Sequence, residues 1–305
     1  MIHRIPLIAA CCAVLLPTLC LPARSAEYWL AHPVNPAELY AQMAGNPNLE
    51  ENATGEPFAW HSSGGGTFVT GYRIWGGTEW LDFAVKYCDF LMERMSVAPD
   101  GYIGPVGRNF RHELWSEEQV SDALMVGPML DFAELVLADP ELTREYGVVA
   151  NRYVDHARIH VVEKWESRGL WHEVGEYGYY IFGDRFVDPD NPSEWVDRPG
   201  EGSGGMSQKF NIANKLGVLQ LKLYRITGDP HYRDKAEKLF YRLKSNFQRI
   251  GEGVTWHYWV PFYRGDLFPE ENRLIHWSAV HPFRPGYQSA EVSQIVEAYH
   301  TGVVF

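Results

Sequence analysis

Residues 208–247 read QKFNIANKLGVLQLKLYRITGDPHYRDKAEKLFYRLKSNF, and they divide into two helical halves of opposite character. In the first half Ile212, Leu216, Leu219, Leu223 and Ile226 recur at spacings of three and four, while Phe210, Ala213, Leu221 and Tyr224 cover further directions. A helix so apolar around its circumference has to be buried. Thr227-Gly228-Asp229-Pro230 then stops it, because glycine tolerates a left-handed exit and Asp before Pro suits the start of another helix. Beyond the turn only Tyr232, Ala236, Leu239, Leu243 and Phe247 form a stripe, among Arg233, Asp234, Lys235, Glu237, Lys238, Arg242 and Lys244. That helix is half solvated. The short turn makes the pair antiparallel, one buried helix backed by one surface helix.

The unit recurs. Val120 to Leu137 is again apolar on most sides, Ala138-Asp139-Pro140 again breaks it, and Leu142, Tyr146, Val149, Tyr153 and Val161 then form a stripe among charged residues. Trp80, Phe83, Ala84, Tyr87, Phe90 and Leu91 mark an outer helix within Gly77 to Met95. Gln288 to His300 reads as a last inner helix with Val292, Ile295, Val296 and Tyr299 inward. Inner helices shielded by outer ones build an α/α toroid, so the expected fold is mostly all-α, an incomplete barrel of helical hairpins with long loops. No outer partner follows the last helix, which is expected to mean an open barrel or a C-terminally truncated product.

Met1 to Ala26 carry His3 and Arg4, an apolar run from Ile5 to Leu21, and then Ala23-Arg24-Ser25-Ala26. The run is short and broken by Pro6 and Pro17, so residues 1–26 read as a secretory signal peptide and 27–305 as one catalytic domain, secreted or periplasmic. Leu19 is bulkier than a lipidation site at Cys20 accepts. Only Cys88 lies beyond this leader, at a helical core spacing, so no internal disulfide is expected. Removing the leader leaves 25 basic against 39 acidic residues, a formal charge of −14. That excludes nucleic acid as a partner, and a membrane once the leader is cleaved. Eleven Trp and seventeen Tyr supply rings that fill cores and also stack on sugar faces, making a polysaccharide the expected partner.

Residues 27–75 show one short helix candidate, Ala37 to Met43. Ser62-Ser63-Gly64-Gly65-Gly66 lacks the lysine and spacing of a phosphate loop and reads as a flexible loop. Asn52-Ala53-Thr54 fits a glycosylation sequon. Trp165 to Arg198 is a long excursion between hairpins, expected over one mouth of the barrel, and Thr255 to Trp259 alternates like a short strand. No cofactor or metal is expected: HExxH and GxSxG are missing from the sequence. His156 and His160 have a zinc-capable spacing but read as solvated. Asp188, Asp190, Asn191 and Glu194 read as a turn-rich loop rather than a calcium site.

In a toroid the reactive groups gather where loops lead into the inner helices. Here those loops carry Arg108 to Trp115 with Gln119 and Asp122, then Gln208, Asn211 and Asn214, then His276 to Gln288, with His257 and Tyr258 arriving from the strand-like segment. The rhythm Glu117-Glu118-Gln119-Val120-Ser121-Asp122, Leu223-Tyr224-Arg225-Ile226-Thr227-Gly228-Asp229 and Glu291-Val292-Ser293-Gln294-Ile295-Val296-Glu297-Ala298-Tyr299 resembles the α/α-toroid polysaccharide lyases that cleave uronic-acid polymers such as alginate or glucuronan. The Leu-Tyr-x-x-Thr-Gly-Asp turn is shared with toroid glycoside hydrolases and epimerases, so it marks the fold more than the reaction.

The resemblance implies β-elimination: a neutralised carboxylate, a base that takes the C5 proton, and an acid for the departing O4. On that reading Arg284 or Asn211 neutralises the carboxylate, Tyr258 or Tyr287 moves the proton, and His281 serves as neutraliser or base. A tyrosine acts as base only beside cations that lower its pKa from about 10. Gln208, His112, Glu113, Trp115, His257, Trp171 and Tyr179, with Asn211, are the expected substrate-binding groups. The rival is a glycoside hydrolase working with two of Glu113, Asp122, Glu173 and Glu176. A third reading is a toroid that binds glycan without cutting it.

Overall fold

The computed structural model describes residues 34–51, 55–108, 114–182, 185–196, 205–262, 266 and 285–305. α1 (Pro36–Ala44), α2 (Pro47–Glu51), α3 (Gly55–Ser62), α4 (Gly66–Trp75) and α5 (Glu79–Met92) come first, followed by the short antiparallel pair β1 (Ser96–Val97) and β2 (Ile103–Gly104). β3 (Trp115–Glu117) leads into α6 (Gln119–Leu137), and α7 (Pro140–Ala157) returns, prolonged by a π-helical turn over Arg158–Glu163 and by α8 (Lys164–Ser167). Two hairpins follow, β4 (Trp171–Val174) with β5 (Tyr177–Tyr180) and β6 (Arg185–Asp188) with β7 (Asn191–Val196), β6 also pairing with β3. The chain ends with α9 (Phe210–Thr227), α10 (Pro230–Lys244), the hairpin β8 (Gln248–Ile250) and β9 (Gly253–Thr255), and α11 (Pro285–His300).

The quoted stretch folds as its pattern requires. α9 buries Phe210, Ile212, Leu216, Leu219, Leu221 and Leu223, and Gly228 closes it in the left-handed region at φ 71°. Asp229 then caps α10 by accepting from the His231 N–H at 2.9 Å, just as Asp139 caps α7 through Glu141 at 2.8 Å, with proline at the first helical position in both. α6 is buried on nearly every side and packs against α3, α4, α7 and α9, while α9 packs against α6, α10 and α11. The inner helices α3–α4, α6, α9 and α11 therefore stand side by side, with α5, α7 and α10 outside them. This is the α/α-toroid arrangement. Among the described residues no helix is long and apolar enough to cross a membrane.

Three sequence expectations are corrected here. Ser62 to Gly66 is not a flexible loop: Ser63–Gly65 is a tight helical turn joining α3 to α4, and residues 34–75 hold four helices instead of one. The glycines serve close approach. A Cβ on Gly65 would lie 2.8 Å from both Pro128 Cβ and the Tyr87 ring, and one on Gly71 would lie 2.3 Å from the Trp80 ring. Second, α11 turns Val292, Val296 and Tyr299 outward, at 44, 47 and 65 % exposure, and buries Glu291, Gln294 and Ala298. Its inward stripe is polar because it faces the hollow described next. Thr255 to Trp259 is strand only as far as Thr255, where β9 ends.

Candidate functional site

The inner helices begin at one mouth, and the loop leading into α9 is pinned there. Asp266 accepts from the Ser207 N–H at 2.7 Å and from its hydroxyl at 2.8 Å, and the buried Arg242 donates to Gln208 O at 3.1 Å and Ser207 Oγ at 2.9 Å. Burial drives the Arg242 guanidinium down to about 10 while Asp266 and then Tyr179 pull it back up. Gln208 is also bonded to Gln119 at the start of α6. Both amides line a narrow crevice with Glu117, Glu118, Val120, Phe182 and Ile212.

Behind the crevice the inner helices face a common hollow. On α9, Asn211, Lys215, Val218 and Lys222 fall on one helical stripe, with Asn214 one step round. Lys215 reaches across, its Nζ 5.6 Å from the centre of the Trp60 ring on α3, whose Nε1 donates to Glu56 Oε1 at 3.3 Å. On the far side stands Glu291 of α11, accepting from Trp256 Nε1. Burial pushes the Glu291 carboxyl up to about 7, against the Trp256 hydrogen bond and the Lys215 charge, both of which pull it down. Lys215 is lowered by the same burial and raised by Glu291. Oε1 of Glu291, Oδ1 of Asn211 and both polar ends of Asn214 meet no hydrogen-bonding partner among the described residues. Each such buried group costs about 1–3 kcal/mol, a cost that a polar ligand would offset. At the other end Lys222 pairs with Asp131 at 2.5 Å and Arg225 with Glu134 and Glu297 at 2.6 and 2.7 Å, and these residues line an open pocket of about 470 Å³.

A second set of buried charges lies outside the hollow. Lys164 donates to Glu117 Oε1 at 2.5 Å and contacts Asp122 Oδ2 at 2.7 Å, Arg168 holds the other Glu117 oxygen at 2.8 Å, and Trp165 Nε1 donates to Asp122 at 2.6 Å. Burial pushes Asp122 up to about 7 although Lys164 opposes it. This cluster of ion pairs holds α8 and β3 against the first turn of α6.

Of the sequence-predicted groups, the structure brings Tyr258, Tyr287 and Asn211 together. The two tyrosine rings stack at 5.7 Å and 29°, and Tyr258 O accepts from the Phe210 N–H, one residue before Asn211. His112, Glu113, His281 and Arg284 lie outside the described residues. Gln208 is buried at the crevice, and His257 is half-buried next to Tyr258. Trp115 packs with Val187 and Trp195 beside β6, and Trp171 packs against Tyr180 and lies under Lys235. Tyr179 is 4 % exposed, edge-on to Phe262. Glu173 is paired with Lys238 at 2.6 Å on the outer surface, and Glu176 sits exposed in the hairpin turn.

Sequence reasoning missed Glu56, Trp60, Lys215 and Glu291. Lys215 left a trace, the first of three cations, with Lys222 and Arg225, in a helix that is apolar in most directions. His156 is corrected too: it is 5 % exposed, not solvated, and burial holds it down at about 3. His160 Nδ1 accepts from the Ile103 N–H at 3.1 Å, which occupies that lone pair and leaves the proton on Nε2. Among the described residues no cluster of three or more His, Cys, Asp or Glu could hold a metal ion. Cys88 is buried and its thiol is pushed far above the ordinary range, chiefly by that burial.

No family profile and no curated protein matches the chain. Solved structures do. A family 76 glycoside hydrolase from a bovine Bacteroides thetaiotaomicron strain aligns at 15 % identity and a TM-score of 0.47, over 77 % of this chain and 41 % of that one. A sugar epimerase from a ruminal bacterium aligns at 13 % and 0.47, over 82 % and 54 %. A family 76 mannosidase from Bacteroides thetaiotaomicron VPI-5482 aligns at 14 % and 0.43, over 77 % and 52 %. The chain spans about half the length of the solved structures it matches, and at such identities the likeness concerns fold alone. The preference for a lyase over a hydrolase is corrected, since these toroids are glycoside hydrolases and an epimerase.

Proposed function

We propose that this chain is a carbohydrate-active enzyme of the glycoside-hydrolase type, exported after removal of residues 1–26 and acting on a polysaccharide. The observation that carries the reading is the line Glu56–Trp60–Lys215–Glu291, which crosses the hollow from α3 through α9 to α11. Glycoside hydrolysis needs one carboxyl that still holds its proton near neutrality and one carboxylate across the scissile bond. Glu291, raised to about 7 by burial, suits the first role. Glu56, on the opposite inner helix, takes the second.

In the reaction Glu291 gives its proton to the glycosidic oxygen as the bond from that oxygen to C1 breaks, and Glu56 supports attack at C1 from the other side. Water supplies the hydroxyl at C1 and the proton that restores Glu291. Trp60 offers a ring face to a sugar, and the unpartnered groups of Asn211 and Asn214 offer hydrogen bonds to sugar hydroxyls.

The test is to incubate the protein with neutral and acidic polysaccharides while following reducing ends and near-ultraviolet absorbance together. Reducing ends are expected to rise without the absorbance of an unsaturated product, and Glu291→Gln is expected to abolish the rise. Full activity in Glu291→Gln overturns the assignment.

A further inference from the structure

The β4–β5 hairpin has two unlike faces. Residues directly opposite in an antiparallel pair share a face, so His172 with Tyr179 and Val174 with Tyr177 lie on one side, and Trp171 with Tyr180 and Glu173 with Gly178 on the other. The second side is spent on packing against α10: Glu173 bonds Lys238, Trp171 lies under Lys235, and a Cβ on Gly178 would strike the Trp171 ring at 2.3 Å. On the first side Phe262 stands edge-on to Tyr177 at 5.7 Å and to Tyr179 at 5.1 Å, and His172 stacks on Tyr179 at 5.5 Å and 20°. Tyr179 is buried beneath its neighbours, while His172, Tyr177 and Phe262 each keep part of their surface exposed.

This ring cluster is continuous with the mouth. The Gln208 N–H bonds Tyr180 O at 2.8 Å, Ile181 is bridged to Ser207, and the Phe262 N–H donates to Asp266 at 2.6 Å, the carboxylate that also pins Ser207. Arg242 lies below, 5.1 Å from the Phe262 ring and 5.9 Å from Tyr179, so the rings are held from beneath by a buried, hydrogen-bonded guanidinium. Rigid, partly exposed rings with little charge suit the apolar face of a pyranose, which contacts them through its C–H groups at small entropic cost.

We infer that His172, Tyr177 and Phe262 form a stacking platform for a glycan chain that continues outward from the mouth, so that the ligand is an oligo- or polysaccharide and not an isolated sugar. This rests on the carbohydrate reading of the hollow but not on hydrolysis. The platform holds sugar units beyond those in the hollow and takes no part in bond breaking.

The test is retention of the purified protein in native gels cast with neutral polysaccharides, run on Glu291→Gln so that no substrate is consumed, with Tyr177→Ala and Phe262→Leu each added separately. Removing one stacked ring is expected to weaken retention about three- to tenfold, with the melting temperature kept. Two independent variants guard against one of them failing to fold. If the wild type also cleaves, the same variants are expected to lose efficiency on long oligosaccharides and keep it on disaccharides. Ring-dependent retention without any cleavage supports the platform and sinks the hydrolase reading. Unchanged retention in both variants overturns the platform, as does an equal loss on short and long substrates, or failure of every polysaccharide to retain Glu291→Gln.

Discussion

Lys164→Met is the most demanding test of how the start of α6 is held. Lys164 is fully buried, and its ammonium touches Glu117 at 2.5 Å and Asp122 at 2.7 Å. Methionine keeps the stem and removes the charge, so packing changes little. Glu117 retains Arg168 at 2.8 Å. Among the described residues Asp122 keeps only the Trp165 N–H, so the stranded charge is Asp122. Breaking a buried ion pair from one side costs about 3–5 kcal/mol. For a chain of this size each kcal/mol moves Tm by about 2–4 °C, which makes the expected drop about 6–20 °C at pH 8.

The pH dependence follows from the sign of the shift. Burial already raises Asp122 to about 7 with Lys164 opposing, so losing Lys164 raises it further. A carboxyl raised above its unfolded value binds more protons in the native state, so stability falls as pH rises between the two values. The variant's deficit is therefore largest above pH 8 and shrinks towards pH 5, where Asp122 takes up a proton. Urea titrations of both proteins at pH 5 and pH 8 measure this. A loss below about 1 kcal/mol at pH 8, or the same loss at both pH values, refutes the reasoning.

Three other outcomes follow from the geometry. Glu291→Gln is expected to cut turnover by about 10²–10⁴-fold, and wild-type activity to fall as pH rises through about 7 because Glu291 then loses the proton it donates; a pH–rate profile checks both. Gly71→Ala places a methyl 2.3 Å from the Trp80 ring and is expected to cost about 1–3 kcal/mol in thermal unfolding. Asp229→Ala removes the cap on the His231 N–H and is expected to cost about 1 kcal/mol, with activity per folded molecule unchanged.

The sequence by itself determined the helical hairpins. α6 and α9 are apolar in most directions, α7 and α10 along one stripe only, and Asp139-Pro140 and Asp229-Pro230 end one kind and begin the other; burial and capping act within a few residues, so their signals are local. The α3–α4 helix escaped because its glycines resemble a loop in sequence, and only the packed neighbours Pro128, Tyr87 and Trp80 reveal that they make room. The inward face of α11 escaped for a related reason: hydrophobic periodicity points Val292 and Val296 inward, whereas a polar interior takes Glu291 and Gln294 on that side. Tertiary structure alone decided the candidate site, because Glu56, Trp60, Lys215 and Glu291 stand on three helices far apart in the chain. The perturbed carboxyl of Glu291 exists only where closing the ring removes it from water and sets Lys215 opposite.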